Sequence, residues 1–246
     1  MRRTYLFLTI ILCALLFSSP LFAVLELTAE CTIDWSSLTI TNMDKINWDE
    51  KHSEVFIAAL DDSGMDNLNR ARAKWSDISV SSELTNASAE AIVNNSAPIA
   101  ASQVYRTEPF LILPESYASF VKGGFFTVTE DCILTFAVNY TIFYEASLDP
   151  HEYEGDIYAF SEVSLDNNDD ELYEVADFEI VHIHLSQGHI EDTLSGKFIV
   201  SVAFNAGDTG YFGVTGLTNT YFMELPEPST ICILGFGLLT LIAKKK

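Results

Sequence analysis

Basic residues are scarce in this chain. Of its 246 residues only 13 are Lys or Arg against 35 Asp or Glu, and Arg2, Arg3, Lys244, Lys245 and Lys246 stand at the extreme ends. Between 24 and 225 the formal charge is therefore 8 − 34 = −26. Phosphate binding needs the opposite sign, so nucleic acid is excluded as a partner. The chain has no Gly-x-Ser-x-Gly elbow, phosphate loop, Cys-x-x-Cys pair or dinucleotide fingerprint, which removes the common signatures of nucleophilic, nucleotide and thiol chemistry. Helix signals are thin as well, the best being 65–74 and 87–94. No fixed-period repeat or clear linker divides 24–224, which reads as one domain.

Cysteine is also sparse. Cys13 and Cys232 lie in the two terminal apolar runs, which leaves Cys31 and Cys132 between them. In an oxidising compartment these two are a disulfide candidate, closing a loop of about a hundred residues worth roughly 4–5 kcal/mol in the chain-entropy model. Two buried free thiols are the alternative.

What the chain does have is alternation. Leu25, Leu27, Ala29, Cys31 and Ile33 alternate with Glu26, Thr28, Glu30 and Thr32, the period-two pattern of a strand with one apolar face. The same pattern runs through 132–144 and 198–204, with shorter stretches at 36–41, 54–60, 72–81, 101–107, 124–130, 156–165, 178–186 and 210–223. Asp62-Ser63-Gly64, Gly123-Gly124, Asp149-Pro150, Gln187-Gly188 and Asn205-Ala206-Gly207 punctuate it as turns. The segment 60–115 is the least regular and reads as room for a long loop or insertion, with 109–114, flanked by Pro109 and Pro114, as an edge or connecting strand. Many half-apolar antiparallel strands are best buried as two sheets face to face. The expected fold is all-β, a jelly-roll-like two-sheet β-sandwich over 24–224.

The two ends carry a different message. Arg2 and Arg3 precede an apolar run at 6–17 and then Ser18-Ser19-Pro20-Leu21-Phe22-Ala23, which reads as a helical signal peptide, 1–23, cleaved near Ala23. At the other end, Pro226-Glu227-Pro228 leads into an apolar run, 231–243, that opens with Ile231, carries Gly235 and Gly237, and closes with Ala243 ahead of the three terminal lysines. Thirteen helical residues rise about 20 Å, short of the roughly 30 Å hydrocarbon core, so this transmembrane helix suits a temporary anchor. Lys244, Lys245 and Lys246 hold it at the cytoplasmic face and leave the bulk of the chain outside. Pro226 and Pro228 keep the preceding stretch extended and accessible.

This order of motifs closely resembles the PEP-CTERM sorting tail of exopolysaccharide-producing Gram-negative bacteria, a resemblance confined to 225–246. It implies an exosortase that recognises Pro226, Glu227 and Pro228 and removes the helix. It further implies transient residence in the inner membrane, then delivery to the cell surface or the exopolysaccharide. The tail speaks to destination and leaves activity open.

Candidate chemistry concentrates in the run from 181 to 191. A two-residue hairpin at Gln187-Gly188 pairs His184 with Glu191 and puts His182, His184, His189 and Glu191 on one face, a set suited to zinc or copper. A wet outer strand face accounts for the same residues. The pattern resembles the His-x-His and Glu ligands of cupins, but six residues separate His184 from Glu191 and no second motif with a further His follows. Asp166, Asn168 and Asp170 place oxygens at alternate positions, as a calcium loop requires, although Glu171 stands where an EF-hand needs glycine. Trp35, Trp48 and Trp75 either stack on sugar rings or fill the core. The sequence thus favours an exported, non-catalytic structural or adhesive sandwich. Its competitor is a metal-dependent glycan-binding module or cupin-like metalloenzyme.

Overall fold

A computed structural model describes residues 25–61, 64–106, 112–148, 153–167 and 175–224. The expected signal peptide, 1–23, and the expected sorting tail, 225–246, lie outside the described residues, as do 109–111 of the proline-flanked segment. Twelve strands follow in chain order: β1 (Leu25–Ile40), β2 (Ile46–Asp61), β3 (Gly64–Ala73), β4 (Ile78–Glu83), β5 (Ala87–Val93), β6 (Ile99–Arg106), β7 (Glu115–Val128), β8 (Cys132–Leu148), β9 (Tyr153–Asp166), β10 (Val175–Leu185), β11 (Gly188–Phe204) and β12 (Thr209–Glu224). Among the described residues the sole helical element is the short 3-10 turn Met43–Lys45.

Two antiparallel sheets of six strands form the sandwich. The first runs β11-β8-β1-β6-β5-β4 and the second β10-β9-β12-β7-β2-β3. The pairings nest, with β7 on β12, β8 on β11 and β9 on β10. Each strand turns its apolar set inward. Leu27, Ala29, Cys31 and Ile33 of β1 face Ile157, Val163, Phe212 and Val214 of the second sheet across one continuous core. Phe136 and Phe212 meet between the sheets as a stacked pair, centroids 4.1 Å apart, and Phe126 packs edge-on against Phe204 at 5.5 Å. Burying each such ring contributes about 1.5–3 kcal/mol, so this layer is the main source of stability.

Several expectations change. The segments 65–74 and 87–94 fall mainly in strands β3 and β5. Their alanines suggest helix, but Ala87, Ala89, Ala91 and Val93 form an alternating, buried inner face, and tertiary packing overrides propensity. The irregular stretch 60–115 holds β3, β4, β5 and β6 rather than one long loop. Gly123-Gly124 is no turn and lies within β7. A Cβ on Gly124 would come within 2.6 Å of the Glu50 carbonyl and 3.1 Å of the Trp48 ring, so these glycines mark close approach within a sheet.

The disulfide candidate also fails. Cys31 and Cys132 are both free. Cys31 stands opposite Ile142, whereas Cys132 lies ten residues back along β8, opposite Phe204. At about 3.3 Å per strand residue the separation is far beyond the reach of a disulfide. Burial pushes the Cys31 thiol up to about 12, so it behaves as a small apolar side chain.

The register also sets the two poles. Glu26 pairs with Ser147 and Glu224 with Tyr153, so both ends of the sandwich leave beside the β8–β9 connection. At the opposite pole lie the turns after β1, β3, β5, β7 and β11.

Candidate functional site

The run from 181 to 191 does not make the expected hairpin. β10 pairs with β9 in the second sheet, whereas β11 pairs with β8 in the first. Ser186 and Gln187 carry the chain between sheets, and Gly188 turns it with φ 98°, a conformation that glycine adopts at little cost. The physical reason is that both strands are amphipathic. Val181, Ile183 and Leu185 meet the core from one sheet, while Ile190, Phe198 and Val200 meet it from the other. His182 and His184 therefore project from the outer face of the second sheet, and His189 and Glu191 from the outer face of the first. The four do not converge, and His184 and Glu191 do not assemble a cupin-like ligand set.

His182 and His184 instead close on Asp156 of β9. Asp156 Oδ1 lies 2.9 Å from His182 Nε2, and its Oδ2 lies 3.1 Å from His184 Nδ1. Glu154 Oε2 stands 3.3 Å from His184 Nε2. Register explains the meeting, because Tyr221, Asp156 and His184 lie in one row across β12, β9 and β10. Covered by its neighbours, Asp156 is only 4% exposed although it points away from the core. Hydrogen bonding to Asp156 raises the His184 pKa; burial opposes this, and the charges of Asp156 and Glu154 reinforce it. Burial, then the Asp156 charge, pushes the Tyr221 phenol up.

The arrangement favours the protonated His184 ring, held between two carboxylates. Both rings are engaged with acids, and among the described residues no group of three or more His, Cys, Asp or Glu is arranged to hold a metal. Asp156 escaped sequence reasoning. The only local signal was its alternation with Glu154, and the partner strand was needed to give that alternation meaning. Asp166, from the calcium candidate, ends β9 and is buried, while Asn168 and Asp170 lie outside the described residues.

The tryptophans gather at the pole away from the chain ends. Trp75 packs edge-on against Trp35 at 5.5 Å and against Trp48 at 4.9 Å. Its backbone is left-handed, φ 46°, which is strained for so large a side chain, and its indole Nε1 donates to the Gly123 carbonyl at 2.5 Å. Lys122 is fully buried beside this group. Its Nζ donates to the Asn94 carbonyl at 2.7 Å and sits 4.2 Å from the Trp35 ring centre, a cation–π contact that offsets part of its desolvation. Burial pushes its ammonium down to about 8, with Asp77 opposing. Alternation with Ala118, Phe120 and Phe126 puts Lys122 on the inner face, a local signal present in the sequence itself.

On the outer side of the second sheet the ring of Tyr211 lies parallel to His52, centroids 5.6 Å apart, and its hydroxyl is 3.2 Å from His52 Nε2. Phe125 packs on Tyr211 at 5.0 Å. Burial lowers the His52 pKa, against the pull of Glu50 and Glu54. Compared with known proteins, the chain matches no family model, and no curated protein matches it.

Proposed function

We propose that this protein is an exported, non-catalytic β-sandwich of the cell surface or extracellular matrix, carried to the membrane by its two apolar ends and released when an exosortase cuts at Pro226-Glu227-Pro228. The sequence of the tail is the basis of this reading. The structural observation that supports it is the position of Leu25 and Glu224 at one pole of the sandwich, flanking the β8–β9 connection. A signal peptide and a sorting helix attached there both reach one membrane without threading past the sheets. The opposite pole, with its three tryptophans, then faces away from the bilayer. Nested strand pairing supports a jelly-roll description of the scaffold, and long rigid strands suit a structural or adhesive part.

The test is processing and delivery of a Pro226→Ala, Glu227→Ala double variant. The wild type is expected at the surface without residues beyond the motif, and the variant in the inner membrane with its tail intact by mass spectrometry. Normal delivery of the variant would remove the sorting role, and wild type recovered from the cytosol with both ends intact would remove export.

A further inference from the structure

We infer that the cleft where β3 leaves β2 binds the carboxylates of a uronate-bearing polysaccharide. In a region of charge −26, Lys51, Arg70, Arg72 and Lys74, half of its eight basic residues, collect on β2, β3 and the turn that follows. Lys51, Arg72 and Lys74 line a cleft of about 690 Å³ together with Glu50, His52, Glu54 and Phe125, a volume ordinary for small-ligand sites.

Its acids are outnumbered. Glu50 and Glu54 are the carboxylates of the lining. Glu54 is shared by two guanidiniums, accepting from Arg70 Nε and, at 2.8 Å, from Arg72 Nε. Burial works against its ionisation, but the two arginines outweigh this and hold its carboxyl below the usual range. Arg72 is 66% exposed at its side chain, so donors remain for a second acid. Neither Lys51 nor Lys74 has a carboxylate within salt-bridge reach among the described residues; the Lys51 ammonium rests 4.4 Å from the Trp75 ring centre.

Cations beside an aromatic floor have a particular selectivity. Phe125, 37% exposed and backed by Tyr211 and His52, offers an apolar plane for the C–H face of a pyranose. The Arg72 guanidinium, on the same outer face as Phe125, and the Lys74 ammonium suit a carboxylate on that ring, in the pairing Glu54 already makes, whereas Lys51 turns to the inner face and Trp75. The surrounding negative field disfavours polyanions elsewhere on the surface, which confines binding to this patch. Charge complementarity against the rest of the molecule is thus what identifies the occupant.

This inference rests on the proposed export for access to such a polymer, but its test does not. Full-length protein in mild detergent is titrated with oligogalacturonate, neutral dextran and dextran sulfate. Oligogalacturonate is expected to bind, with affinity at least tenfold lower in Arg72→Gln, Lys74→Glu and severalfold lower in Phe125→Ala. Lys197→Glu, on β11 of the other sheet, changes it less than twofold. Thermal melting confirms that each variant folds, and Lys74→Glu alone keeps the test valid if the double variant does not. Equal binding of neutral dextran, binding of dextran sulfate alone, or equal loss in Lys197→Glu overturns the assignment. Loss of binding with normal tail processing leaves the sorting proposal standing, and failed processing with intact binding leaves the cleft standing.

Discussion

His184 holds one ring nitrogen 3.1 Å from Asp156 Oδ2 and the other 3.3 Å from Glu154 Oε2. The folded state therefore favours protonated His184, and its pKa is raised. The stabilising contribution is fully present below the ordinary histidine value of about 6.5 and is lost as pH rises through the raised folded value. In an NMR titration, Asp156→Asn is expected to move the His184 midpoint down. A midpoint that stays in place would show that another group sets it.

Lys122 has the opposite sign. The unfolded chain keeps its proton to about 10.5 and the folded chain only to about 8, so between these values the unfolded state binds more protons and stability rises with pH. The rise is at most about 3 kcal/mol. Cys31, raised from 9.0 to about 12, works against it at the alkaline end. Urea denaturation of wild type against Lys122→Met isolates the lysine, and the difference should grow in favour of wild type from pH 8 to 10. A constant difference would mean that Lys122 is solvated.

Native alkylation distinguishes the two thiols. Iodoacetamide at neutral pH should label Cys132, slowly because burial raises its pKa, and should spare Cys31 until denaturant is added. A peptide joining Cys31 to Cys132, recovered without reductant, would contradict their placement.

Gly124→Ala sets a Cβ 2.6 Å from the Glu50 carbonyl. Backbone cannot give way as a flexible side chain does, so the variant is expected to lose about 1–3 kcal/mol by urea denaturation. An unchanged midpoint would mean that β2 and β7 do not approach so closely.

Much of the fold was legible because alternation is local. The pattern from Leu25 to Ile33 stated which side chains enter the core before any partner strand was known, and β8, β9 and β12 followed the same logic. The helical reading of 87–94 failed because alanine serves a helix and a crowded inner strand face alike. The hairpin at Gln187-Gly188 failed for a deeper reason. An apolar face is satisfied by burial in either sheet, so local chemistry did not distinguish pairing β10 with β11 from sending each strand to a different layer.

The amino-acid sequence by itself determined the strand faces, the acidic surface and the motifs at the two ends, since each depends only on residue type and spacing. Tertiary structure alone decided that Asp156 stands between His182 and His184, that Trp35, Trp48 and Trp75 share one pole, and that Arg70 and Arg72 converge on Glu54. Those groupings depend on pairing between residues distant in the chain, and a period of two carries no information about which strand lies alongside.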